Sequence, residues 1–114
     1  STQIRSSAAS DVYKRQVIIS GGENIYPAEL EVLLLNNKDL VEYSIVGKHD
    51  VKWGEVPVIV AVKKNKSVTS DQILYLFNEK VAKYKIPKEV IFVNNIPKNA
   101  LGKIEIDKVK QLVN

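Results

Sequence analysis

The stretch from Glu55 to Val62 constrains the fold more than any other, because every residue after Glu55 in it is apolar or proline. Its valines and isoleucine are β-branched, and such side chains favour a strand. A strand without alternating polar residues is typical of a central strand that is buried on both faces. Pro57 is tolerated near the start of a strand, where one backbone donor can be spared. The sequence therefore predicts a buried central strand over 55–62.

Three further strands are predicted around this one. Val17 to Ile19 is a short β-branched run that stops at two adjacent glycines, Gly21 and Gly22. Leu40 to Val46 alternates between two faces and is followed by an expected turn at Gly47 to Asp50. Val90 to Val93 is the last predicted strand.

Three helices are predicted from apolar residues at helical spacing. The first spans roughly 27–36, begins at Pro27 in the first turn and ends at Asn36-Asn37. The second has Ser70 as its candidate N-cap and runs to just before Ile86-Pro87. The apolar residues expected on its buried face are Ile73, Leu74, Phe77, Val81 and Tyr84. Asp107 is expected to cap the last helix.

This element order predicts an α+β fold. We expect a small two-layer domain with a sheet of about three strands, helices on one face and a short N-terminal β-hairpin or strand. The chain has 114 residues, which is enough for one core. Residues 1–16 lack any periodicity and are predicted to be a linker, a segment introduced by cloning or a disordered segment. The domain is therefore expected to occupy 17–114.

Composition excludes several classes of function. The sequence contains no cysteine, so disulfides and thiolate metal sites are impossible, and this composition suits a cytoplasmic protein. No stretch approaches the roughly 18 apolar residues of a membrane span. From Lys83 onward seven lysines face three acidic residues, which suits either a phosphate-bearing partner or a solvated surface. Nucleic acid is disfavoured, because aromatic residues do not interleave with the basic ones.

Two segments stand out as candidates for chemistry. Ser20 to Glu31 (SGGENIYPAELE) places two glycines before a helix, where the backbone can approach a narrow ligand closely, although a plain turn explains a lone Gly-Gly equally well. Ile96 to Ile104 (IPKNALGKI) places Lys103 directly after a glycine, in a stretch that we expect to have few tethers and to be mobile. Taken alone, Gly102-Lys103 is also typical of a hairpin turn with an exposed lysine.

With Val46 to Glu55 (VGKHDVKWGE) and Tyr84 to Lys88 (YKIPK) between them, these segments resemble the C-terminal domain of the adenylate-forming, AMP-binding superfamily of the acyl-CoA synthetase type. The resemblance covers 17–114 and has four motifs in the family's order. It implies an enzyme that converts a carboxylate and ATP to an acyl-adenylate and then transfers the acyl group to coenzyme A, with Mg²⁺ accompanying ATP. No metal ligand is expected in this chain.

The resemblance also implies roles for individual residues. Lys103 matches the catalytic lysine of the adenylation step. Gly22, in the Ser20-Gly21-Gly22 turn, would border the tunnel that coenzyme A enters in the second step. The residues expected to bind the nucleotide end of the coenzyme are Trp53, Ile86 and Lys88. We assign no catalytic role to His49.

Two stretches depart from the family pattern. Asp11 to Gln16 matches the family's hinge poorly, so no hinge residue is assigned. Glu105 to Asp107 is acidic where many relatives are basic.

The expected partner is the large N-terminal domain of the same enzyme, without which the chain is predicted to be inactive. The alternative is a stand-alone module that binds a coenzyme, a carrier protein or a partner subunit. The sequence leaves the acid open among fatty, aromatic and small acids, and leaves the thiol acceptor open between coenzyme A and a carrier protein.

Overall fold

A computed structural model describes residues 17–114, in which five strands form one mixed sheet. The strands are β1 (Ile18–Ser20), β2 (Glu23–Ile25), β3 (Leu40–Asp50), β4 (Gly54–Lys63) and β5 (Val90–Phe92). The order is β2-β1-β4-β3, and β5 also pairs with β4. The pair β4–β5 is parallel and the others are antiparallel. Since β3 occupies one edge of β4, the hairpin β1–β2 and strand β5 share the other.

Three α-helices flank the sheet in the described part of the chain. They are α1 (Pro27–Glu31), which continues as a 3₁₀ turn over Val32–Leu34, α2 (Ser70–Tyr75) and α3 (Ile106–Val113). A second 3₁₀ turn covers Lys83–Lys85. None of the helices within 17–114 has the length and apolar character that crossing a membrane requires.

Strand β4 is buried on both faces, as predicted, and its side chains enter two separate cores. Ile59 belongs to a core that α1 and α2 cover, together with Phe77. Val60 belongs to a core on the opposite face, which Val109 and Val113 of α3 cover. The α+β class is thus confirmed, whereas the predicted placement of helices on one face holds only for α1 and α2. Helix α3 lies on the other face because β4 is apolar on both sides and each side needs a cover.

The sheet is also wider than the three strands expected, because the hairpin β1–β2 joins it. Ser20 pairs with Gly54 at the start of β4, and the Gly21 N–H donates to the Trp53 carbonyl oxygen at 2.9 Å. Strand β3 continues through Gly47 to Asp50, which were expected to turn. The turn instead follows, since the Asp50 carboxylate accepts the N–H groups of Lys52 and Trp53, each at 2.8 Å.

Helix α2 is much shorter than its apolar spacing predicts. Its N-cap is Thr69 and not Ser70. The Thr69 hydroxyl accepts the Gln72 N–H at 3.2 Å while the Gln72 side chain accepts the Thr69 N–H at 3.0 Å, which makes a capping box. After Tyr75 the chain tightens, since the Phe77 N–H bonds to the carbonyl of Leu74, and Glu79 then adopts a φ of 61°. Non-glycine residues rarely take this conformation, so the end of the helix could not be predicted from a glutamate at this position.

The other helix boundaries lie close to their predicted positions. Helix α1 begins at Pro27, and Asn36 follows its 3₁₀ extension with a φ of 62°. Helix α3 has Glu105 as its N-cap, so Asp107 lies in the first turn and does not cap it. The predictions for residues 1–16, including the poorly matching hinge stretch, lie outside the described residues.

Candidate functional site

The two glycines between β1 and β2 have different surroundings. Gly21 has a φ of 57°, and a Cβ added to it would lie 2.8 Å from Cε3 of Trp53. Gly22 has a φ of 84°, and a Cβ added there would have nothing within 4 Å. Gly21 is thus covered by an indole of this chain, whereas the space above Gly22 is open.

Trp53 is held by its backbone and leaves much of its ring accessible. Its N–H donates to Asp50 and its carbonyl accepts the Gly21 N–H, so the β3–β4 turn is fastened to the glycine turn. The side chain is 45% exposed. The Lys52 ammonium lies 5.0 Å from the ring centroid, a cation–π distance. The exposed part of the indole is therefore accessible to a ligand ring and lies close to a positive charge.

A cavity of about 310 Å³ adjoins this indole. Its lining residues are Ser20, Gly21, Glu23, Trp53, Lys83, Tyr84 and Lys88. The structure thus brings together four residues that the sequence singled out for ligand binding: Ser20, Gly21, Trp53 and Lys88. Two aromatic rings and two lysines around one cavity suit a planar ring that carries phosphate.

Sequence reasoning missed Lys83 and Tyr84 as lining residues. Tyr84 was expected on the buried face of a long helix, but the helix ends at Tyr75 and Tyr84 is 39% exposed. The Lys85 ammonium lies 3.3 Å from the Glu29 carboxylate, which ties this turn to α1. The hydrogen bond and the charge of Glu29 raise the pKa of Lys85. The sequence signal that was available is the pattern of alternating lysines around Tyr84.

Ile86 and Gly22 lie apart from this cavity. Ile86 is partly buried against the first core and lines a neighbouring cavity of about 720 Å³. Lys83 and Lys88 line both cavities and so stand between them. Gly22 is in the lining of neither. Ile86 is therefore placed to support the turn that carries Lys88.

Lys103 lies on an ordered hairpin, which corrects the expectation of a mobile stretch with few tethers. Lys98 and Ile104 form a β-bridge across the hairpin. The Asn99 side-chain oxygen accepts the N–H groups of Leu101 at 2.8 Å and of Lys103 at 3.0 Å. The Asn99 N–H donates to the Lys103 carbonyl at 2.8 Å. The backbone of the hairpin is therefore held by hydrogen bonds, whereas the Lys103 side chain is exposed.

The base of this hairpin is fastened to the sheet by Glu42 of β3. One carboxylate oxygen accepts the Ile96 N–H at 3.0 Å, and the other lies 2.5 Å from the Lys98 ammonium. Burial by itself would raise the pKa of Glu42, but the hydrogen bonds from Lys98 and Ile96 and the Lys98 charge together lower it. The position of Lys103 relative to β3 is thus set by a charged anchor.

The Lys103 side chain is exposed, and within residues 17–114 it forms no ion pair. It is therefore a cation available to another surface. His49 is exposed and is held through its backbone N–H, which donates to Asn114. Across the same described range, no cluster of three or more His, Asp or Glu side chains is placed to hold a metal ion.

Comparison with known proteins identifies relatives of the chain. The family model described as AMP-binding enzyme C-terminal domain matches residues 29–103. An indoleacetate–CoA ligase of Aromatoleum aromaticum is 47% identical over 104 residues, which are 90% of this chain and 20% of that protein. A 2-succinylbenzoate–CoA ligase of Bacillus cereus is 45% identical over 100 residues, with 88% of this chain and 20% of that protein covered.

The fold is also that of a solved protein. The crystal structure of ATP-bound MatB from Rhodopseudomonas palustris superposes with a TM-score of 0.79 at 31% identity, over 85% of this chain and 20% of that one. The chain therefore spans about one-fifth of the length of the relatives it matches. The family match covers most of the chain and extends to Lys103, so the chain belongs to the AMP-binding enzyme C-terminal domain family.

Proposed function

We propose that the chain is the C-terminal domain of an ATP-dependent acid–CoA ligase, in which it supplies Lys103 to one half-reaction and the Gly21-Gly22 turn to the other. The observation that carries the proposal is the cavity lined by Ser20, Gly21, Trp53 and Lys88. Gly22, the next residue of the same turn, faces open space outside that cavity. The relatives named above are CoA ligases of about five times this length. The rest of such a ligase would contain the pockets for ATP and the acid.

In the first half-reaction a carboxylate oxygen attacks the α-phosphorus of ATP, and pyrophosphate leaves. The attacking carboxylate and the triphosphate are both anionic, so a cation between them lowers the barrier. Lys103 suits this task because its exposed ammonium is not engaged by a carboxylate of residues 17–114. Mg²⁺ accompanies ATP, and we expect its ligands in the remainder of the polypeptide.

In the second half-reaction a thiol sulfur attacks the acyl carbon, the thioester C–S bond forms and AMP leaves. Gly22 fits the wall of a narrow thiol channel, because a side chain there would enter space that this chain leaves empty. The adenine ring of coenzyme A would pack against Trp53 and Tyr84, which both line this cavity. Lys83 and Lys88 would pair with its phosphates. We infer a cytoplasmic location.

The test is to measure the two half-reactions separately in the complete ligase. Lys103→Ala should abolish most acyl-adenylate formation and spare thioester formation from added acyl-adenylate. Gly22→Leu should do the reverse, since it fills the thiol channel. The 114-residue chain alone should catalyse no ATP–pyrophosphate exchange. Equal losses of both half-reactions in Lys103→Ala would contradict the proposal.

A second function is favoured by the fact that the cavity is formed by this chain alone: binding of a coenzyme without catalysis. Titration of the 114-residue chain with coenzyme A, followed by the fluorescence of Trp53, tests it. Lys88→Ala should weaken binding, whereas Lys64→Ala, in the loop after β4, should leave it unchanged. If the fluorescence does not change at millimolar coenzyme A, the isolated chain has no such function.

A further inference from the structure

We propose that Asn99 is a positioning residue for Lys103, and that it sets the point from which the lysine side chain reaches into the active site. The inference rests on the proposed function, because it assigns the partner residue of the adenylation lysine. Its basis is a set of contacts within the hairpin that no other residue there reproduces. Asn99 contacts the backbone of Lys103 on both sides, as described above.

Asn99 contacts the backbone of Lys103 through both its side chain and its own N–H. The Lys103 N–H donates to the Asn99 side chain at 3.0 Å, and the Lys103 carbonyl accepts the Asn99 N–H at 2.8 Å. A residue with both of its backbone groups bonded to a single partner has little freedom in φ and ψ. The direction of the Cα–Cβ bond of Lys103 is therefore fixed by Asn99.

A tight turn joins Asn99 to Lys103. The Gly102 N–H donates to the Asn99 carbonyl at 3.0 Å, and Gly102 has a φ of 84°. A side chain at this φ is strained, so glycine is needed for the chain to return to Asn99 within three residues. The Leu101 N–H completes the set by donating to the Asn99 oxygen at 2.8 Å.

The hairpin is fastened to the rest of the domain at its base. Glu42 holds both Ile96 and Lys98, which precede Asn99, and the Glu105 N–H after the hairpin donates to the Pro97 carbonyl at 3.0 Å. The hairpin is thus a rigid extension of the sheet. When the domain docks, Lys103 arrives at a defined position and searches only its own side-chain rotamers.

This arrangement has a kinetic consequence. A catalytic cation must lie within about half an ångström of its productive position, and its support must come from neighbouring hydrogen bonds. Loss of the Asn99 acceptor releases two backbone N–H groups and lets the Lys103 backbone drift. Adenylation should then slow, whereas the thioester step, which does not use Lys103, should not.

The experiment compares Asn99→Ser and Asn99→Ala. A serine hydroxyl can accept the same N–H groups more weakly, and alanine cannot accept them at all. In the 114-residue chain, amide hydrogen exchange at Leu101 and Lys103 should accelerate from wild type to Asn99→Ser to Asn99→Ala. In the complete ligase, the kcat of adenylation should fall in the same order, on the order of 10- to 100-fold for alanine. The KM for ATP and the thioester step should stay unchanged.

The matched control is Asn65→Ala. The Asn65 side chain accepts the N–H and hydroxyl of Ser67 in the loop between β4 and α2, so it makes a similar turn away from Lys103. This variant should keep both half-reactions intact. Lys103→Ala tests the proposed function itself: full adenylation activity in this variant would overturn both the proposed function and the role of Asn99.

Three results would overturn the positioning role alone while Lys103→Ala remains inactive in adenylation. One is unchanged amide exchange in Asn99→Ala. Another is faster exchange with normal adenylation. The last is an equal loss of both half-reactions, which would show that Asn99 merely supports folding.

Discussion

The indole of Trp53 covers Gly21 so closely that a Cβ on that glycine would lie 2.8 Å from Cε3 and 3.1 Å from Cζ3 of the ring. The neighbouring Gly22 meets no atom of this chain within 4 Å of the corresponding position. The two glycines are thus required for different reasons, one by packing within the domain and one by backbone conformation and the open space above it.

Gly21→Ala should therefore destabilise the chain more than Gly22→Ala. Both substitutions force a side chain into positive φ, which costs about 1–2 kcal/mol. Only Gly21→Ala must also displace Trp53. Urea unfolding measures the difference in stability, and the emission of Trp53, the single tryptophan, should shift only in Gly21→Ala.

The control for this prediction is a double-mutant cycle with Trp53→Ala. Removal of the indole should relieve the collision, so that Gly21→Ala becomes no more costly than Gly22→Ala. Additive effects of Gly21→Ala and Trp53→Ala on the free energy of unfolding would show that the contact between them is not the cause.

The fold was predictable where a pattern reflects burial directly. The continuous apolar run of β4 predicted a strand with two buried faces, and its residues are buried on both. A strand that is buried on both faces needs helices or loops packed on each face of the sheet, yet the helices were expected on one face only. Helix α3 contributes Val109 and Val113 to the second core, and nothing in an amphipathic stripe indicates which face of a sheet it will cover.

The candidate site was predictable only in part, because its residues meet through turns. Strand β3 extends to Asp50, beyond the alternating residues that predicted it. The Asp50 carboxylate then closes the turn that brings Trp53 to Gly21. Tyr84 reaches the same cavity since α2 ends early. Hydrogen bonds of the Asn99 type are local, but their geometry depends on a turn whose class the sequence does not fix.

Thr69→Ala should lower the free energy of unfolding by about 1 kcal/mol, the usual effect of losing an N-cap. Thr69 and Gln72 satisfy each other's backbone N–H groups at the start of α2. Ser70→Ala is the matched control and should change stability little, since Ser70 lies inside the helix. Chemical unfolding of wild type and the two variants measures these free energies. A larger loss of stability in Ser70→Ala than in Thr69→Ala would contradict the capping box.

Glu31→Ala should cost about 1–3 kcal/mol, because the N–H of Ile45 would lose its acceptor within a partly buried region. The Glu31 carboxylate accepts that N–H at 3.0 Å. Burial raises the pKa of Glu31 in spite of this hydrogen bond. Glu31→Gln keeps an acceptor and removes the buried charge, so it should be neutral or stabilising at pH 7.

The pH dependence of stability shows whether the Glu31 charge stabilises or destabilises the folded state. A raised pKa means that the folded state holds the proton to a higher pH than the unfolded state. The stability of wild type relative to Glu31→Gln should therefore fall as the pH rises through the Glu31 pKa. Burial and the Glu31 charge also raise the pKa of Tyr43, so the substitution should lower that pKa. A stability difference that does not vary with pH would contradict the raised value.

Glu42 should show the opposite pH dependence, because its pKa is lowered in the folded state. Glu42→Gln keeps an acceptor for the Ile96 N–H but loses the charge that holds Lys98. The stabilisation by the carboxylate is present above the unfolded-state pKa of about 4.3 and is lost as the pH falls through the lower folded-state value. Wild type should therefore exceed Glu42→Gln in stability at pH 7 and approach it in acid.

Glu89→Gln is the control for Glu42, since it removes an ion pair with Lys48 whose side chains are 40% and 42% exposed. An exposed pair of this kind contributes less than about 1 kcal/mol, so this variant should stay close to wild type at pH 7. Urea unfolding of the three proteins between pH 7 and acid provides the comparison. A constant gap between wild type and Glu42→Gln over that range would show that the carboxylate charge does not hold the Lys103 hairpin to β3.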